Sequence, residues 1–164
     1  MPSLTTQEKP TMMTTLIETL ISSHNPVCKT AAAQLILLPD NIASYDLHLR
    51  NANLNQDDIA LIAKAINKVH SQGGPLLGSF SMSYNANLHD QGVLSLVKFL
   101  GASLTEVGLV QCGIGDKGGD ALIAWASKAP NLKWLCVEHN AFSEQSKQKL
   151  VALTKEHKQL LVVV

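Results

Sequence analysis

The stretch Gly113-Ile114-Gly115-Asp116-Lys117-Gly118 carries the spacing most suggestive of chemistry. It fits G-x-G-x-x-G, in which glycines let the backbone approach a pyrophosphate and the helix that follows points its N-terminus at the charge. Apolar residues before it predict a strand, and those after it predict a helix. Glu138 follows Gly118 at the distance along the chain where dinucleotide folds carry the acid that binds a ribose. Taken alone, the Gly113–Gly118 loop would describe a nucleotide-binding α/β enzyme.

Other reactive residues are sparser. Cys136 and His139 are close in sequence, but a closed zinc site needs four ligands and no second pair is evident. His24, His48, His70, His89, His139 and His157 are scattered, and no Ser-His-Asp or Cys-His set can be assembled from them. Asp57 and Asp58 sit early in a predicted helix, where acids suit the helix dipole. The expectation is no metal, no cofactor and no catalytic residue.

Bulk composition narrows the classes further. The 164 residues hold 13 basic and 13 acidic side chains, with 46% hydrophobic residues, which describes a globular chain. Neutral balance without a basic run argues against nucleic-acid binding. Cys28, Cys112 and Cys136 form an odd set, unlike a disulfide framework, and point to reduced thiols in a cytoplasmic setting. The first residues lack the pattern of a secretory signal, and no apolar run is long enough to span a bilayer.

The elements that must position these residues follow from an internal repeat. Leu104, Val107, Leu109, Cys112 and Ile114 share a skeleton with Leu132, Leu135, Val137, Asn140 and Phe142, in the same order and at the same intervals. The step from Leu104 to Leu132 equals that from Leu132 to Leu160, where a last short strand begins. Leu77, Phe80, Met82, Asn85 and Leu88 make an earlier match, with one extra position before Leu88. Leu47, Leu49 and Leu54 make the first, with Ala52 where the others have Asn or Cys. Between these strands lie helical stripes: Ile59, Ile62, Ala63 and Ile66; Val93, Leu94, Leu96, Val97 and Leu100; Ala121, Leu122, Trp125 and Ala126; Leu150, Val151 and Leu153 after Ser143 as N-cap. Strand and helix alternating at this period predict parallel strands inside and helices outside. The repeat also explains the glycines, because Gly113 and Gly115 flank Ile114, a core position in each unit.

This pattern resembles the leucine-rich repeat of the ribonuclease-inhibitor-like type over residues 44–164. The resemblance implies a leucine-rich-repeat solenoid: a short right-handed arc, parallel strands on its concave face and helices on its convex face. It also implies a non-catalytic module that binds a protein partner through the concave sheet. Twelve of the 13 basic residues are lysine and only Arg50 is arginine, and short repeats with such lysine-rich coding further resemble secreted bacterial effectors, which act inside a host cell.

Strand alternation then predicts the outward side chains, among which His48, Arg50, Asn51, Ser81, Ser83, Tyr84, Val110, Gln111, Trp134, Glu138 and His139 are the candidate partner-binding residues. Asp46, His48, Arg50 and Asn51 come from the first unit, Ser79, Ser81, Ser83 and Tyr84 from the second. Glu106, Gly108, Val110 and Gln111 come from the third, Trp134, Cys136, Glu138 and His139 from the fourth. Trp, Tyr and Arg are the types that most often dominate interface energy.

The ends differ from the middle. Residues 1–10 are polar and read as a disordered tail. Met12, Met13, Leu16, Ile17, Leu20 and Ile21 predict a helix capped by Thr11, and Asn25-Pro26 starts a second helix towards Leu37. Residues 11–43 therefore read as a helical cap on the first repeat, or as a degenerate repeat with a strand at Leu35–Leu38. At the other end, Leu160–Val164 offers an apolar edge for self-association.

Overall fold

Apolar side chains at every second strand position, and stripes at helical spacing, each give an element one side to bury. The computed structural model, which describes residues 12–164, packs those sides against one another. The predicted tail and Thr11 lie outside the described residues. The elements run α1 (Thr14–Ser22), α2 (Pro26–Ile36), β1 (Ser44–His48), α3 (Gln56–Ser71), β2 (Leu76–Ser81) and α4 (His89–Val97). They continue β3 (Glu106–Gly108), α5 (Asp116–Ala126), β4 (Trp134–Cys136), α6 (Glu144–Glu156) and β5 (Leu161–Val163).

The five strands form one parallel sheet in sequence order, β1-β2-β3-β4-β5. Leu47, Phe80, Val107, Leu135 and Val162 are successive register partners. Further along each strand, Leu49, Met82, Leu109 and Val137 are fully buried. Their N–H groups donate to Ser81, Gly108, Cys136 and Val163 carbonyls at 2.8–2.9 Å. Equivalent residues of the repeat thus stand side by side, as their shared place in each unit's skeleton predicts. The register slips once between Tyr45 and Asp46, where Gly78 is the extra residue of β2.

Helix starts are set by side chains. Asn25 Oδ1 accepts from Val27 and Cys28 N–H, and Pro26 fills the first helical position. Asn55 and Asp58 form a reciprocal capping box on α3. Ser143 accepts from Ser146 N–H on α6. Ile59, Ile62, Ala63 and Ile66 are all buried.

Several expectations are corrected. Helix α1 starts at Thr14, with Met13 at its N-cap position and no side-chain cap, so its first turn is later than the apolar stripe suggests. No strand forms over Leu35–Leu38, since α2 runs through Ile36 and its inner face buries Ala31, Ala32 and Leu35. Val151 is exposed although it borders Leu150; on α6 only Leu150 and Leu153 of that stripe point inward. Tyr45, absent from the predicted skeleton, is buried in the core.

Candidate functional site

Each strand ends in a turn whose polar backbone must find partners away from water. Asn85, fully buried, accepts from Ala52 and Leu54 N–H at 3.2 and 3.1 Å. Its amide donates to the Leu49 and Met82 carbonyls at 2.8 and 2.7 Å. Asn140 repeats the arrangement further along the sheet, accepting from Cys112 and Ile114 N–H and donating to Leu109 and Val137 carbonyls. Between them Cys112 directs its thiol at the Met82 carbonyl, 3.3 Å away. Burial pushes that thiol up to about 11. These residues hold the turns and leave the reactive atoms enclosed.

The glycine loop is explained by packing. Gly113 has φ +68°, and a Cβ there would come within 2.7 Å of the His89 ring and 2.9 Å of the Ala86 carbonyl. Asp90 Oδ1 accepts from Gly115 N–H at 2.7 Å and Gly118 N–H at 3.0 Å. A Cβ on Gly118 would sit 2.6 Å from that same oxygen. The amides that would cradle a phosphate are therefore occupied by the chain's own carboxylate, which would also repel one. The next unit uses the same device: Asp116 Oδ1 accepts from Ser143 N–H at 2.7 Å. That bond, with the Ser143 and Ser146 hydroxyls, holds the Asp116 carboxyl below the usual carboxylate range.

The sheet surface turned away from the buried cluster gathers most of the predicted side chains. Register aligns Asp46, Ser79, Glu106, Trp134 and Leu161 in one row, and His48, Ser81, Gly108, Cys136 and Val163 in the next. Trp134 is 46% exposed, Leu161 46% and Tyr84 40%. The Arg50 guanidinium lies 5.3 Å from the centre of the Tyr84 ring, a stacked cation–π contact. Asn51, Tyr84, Gln111 and His139 share a left-handed backbone, with φ of +51°, +65°, +50° and +59°. This recurrent turn carries them outside the strict alternation of the strands, and all four are exposed.

Ser83 departs from expectation. Alternation predicts it among the outward residues, but it is buried. Its hydroxyl accepts from Val110 N–H at 3.0 Å, because the small side chain tucks against the neighbouring strand end. Gly108 has the matching reason for its size: a Cβ there would meet the Ser81 and Ser83 hydroxyls at 3.0 and 3.1 Å.

One polar chain carries no signal in the sequence. His48 Nε2 lies 2.8 Å from Ser79 Oγ, which donates to Glu106 Oε2 at 3.2 Å. The three come from separate strands, so only the register brings them together. They do not reproduce a hydrolase triad, because the carboxylate contacts the serine and not the second imidazole nitrogen. Asp46 adds a bond from Ser79 N–H at 3.0 Å.

Cys136 and His139 do not join a metal set, and among the described residues no three or more His, Cys, Asp or Glu are placed to hold an ion. Burial, then Glu138 and Glu106, raise the Cys136 thiol above its ordinary value. No helix of the described residues is long and apolar enough to cross a membrane. No protein-family model matches the chain, and no curated protein matches it.

Proposed function

We propose that this chain is a short leucine-rich-repeat module of the ribonuclease-inhibitor-like type, and that it works by binding a protein partner through its outward sheet face. The observation that carries the reading is the arrangement of Arg50, Tyr84 and Trp134. Three residue types that dominate interface energy stand exposed, Arg50 and Tyr84 together in the turns that follow β1 and β2, and Trp134 on β4. A packed sheet beneath them keeps their positions fixed, which lowers the ordering cost of binding. The regular register and the buried spine of Leu49, Met82, Leu109 and Val137 support the repeat assignment. Hydrolase and metal geometries find no support on this face, and the Asp90 carboxylate disfavours the nucleotide reading.

The test compares partners recovered from lysate by the native chain and by the triple variant Arg50→Ala, Tyr84→Ala, Trp134→Ala. Specific partners should be lost with the variant while its circular dichroism is unchanged. Equal recovery would count against this face. A thermal-shift screen with NAD, NADP, ATP and GTP should give no stabilisation; a clear upward shift at millimolar nucleotide would favour the glycine-loop enzyme instead.

A further inference from the structure

We draw no further inference here: the strongest candidate, the apolar edge of β5 (Leu161–Val163) beside the depression lined in part by Val137, Phe142 and Val164, carries none, because nothing in the structure shows what covers it.

Discussion

Asn85 satisfies four backbone groups with a single buried side chain. Truncating it leaves two N–H and two C=O groups without their partner in a space closed to water. Each such orphan costs on the order of 1–3 kcal/mol, though some relaxation is expected. Asn85→Ala should therefore destabilise the protein by about 3 kcal/mol in a urea titration; a loss under about 1 kcal/mol would show that water replaces the side chain. At the Asp116 carboxyl the argument concerns pH. Its pKa is lowered on folding by the Ser143 N–H, so its stabilisation is complete above the ordinary value of 3.8 and is lost as pH falls through the lower folded value. Melting temperatures of the native chain should drop more steeply below about pH 4 than those of Asp116→Asn. Parallel profiles would contradict the shift. The thiols extend the same logic to reactivity. Cys28 and Cys112 are buried and Cys136 is half-covered, and all three thiols are raised. None should react rapidly with a thiol reagent near neutral pH until urea is added.

At the scale of elements, the start of α5 depends on a carboxylate from the unit before it. Asp90→Ala removes the acceptor for Gly115 and Gly118 N–H and should cost about 1–2 kcal/mol. Gly118→Ala sets two effects against each other. Helix propensity favours alanine by about 1 kcal/mol. The new Cβ, however, would meet Asp90 Oδ1 and the Ile114 side chain, both at 2.6 Å, and overpacking of that kind costs about 1–3 kcal/mol. The clash should win, and the penalty should shrink in an Asp90→Ala background when measured as a double-mutant cycle. Element positions were largely legible in the sequence because burial imposes period on apolar residues. Ile59, Ile62, Ala63 and Ile66 announce α3, and Asn25-Pro26 announces α2. The start of α1 was not legible, since Met13 provides no capping side chain. Ser83 escapes the alternation rule because alternation ceases where the strand enters its turn, and a small hydroxyl fits inside as readily as outside. The His48–Ser79–Glu106 chain lies across three strands, so only the register reveals it.

The whole molecule has one buried cluster running from Leu16 and Leu20 in α1 to Leu160 beside β5. Side-chain bonds cross from each repeat unit to the next, through Asn85, Asp90, Asp116 and Asn140. Units so coupled should unfold together, although repeat arrays with weaker interfaces can melt in pieces. Tryptophan fluorescence and circular dichroism should give coincident urea transitions; separated midpoints would show that the coupling is too weak to unite the units. The repeat was visible because one spacing recurs, and that same regularity conceals the partner: it prescribes the spine and leaves the outward residues free to vary.

The turn residues have a consequence for how such a chain can grow. Ala52, Asn85, Cys112 and Asn140 take their places in an alternating order, an amide at every second turn. The amide at Asn85 serves the turn of Ala52, and that at Asn140 serves the turn of Cys112. The smallest duplicable module is thus a couplet of turns, the length of chain that separates Asn85 from Asn140. Inserting or excising a couplet preserves the alternation of amide and non-amide turns, whereas a change of one turn sets two amides, or none, at a single junction.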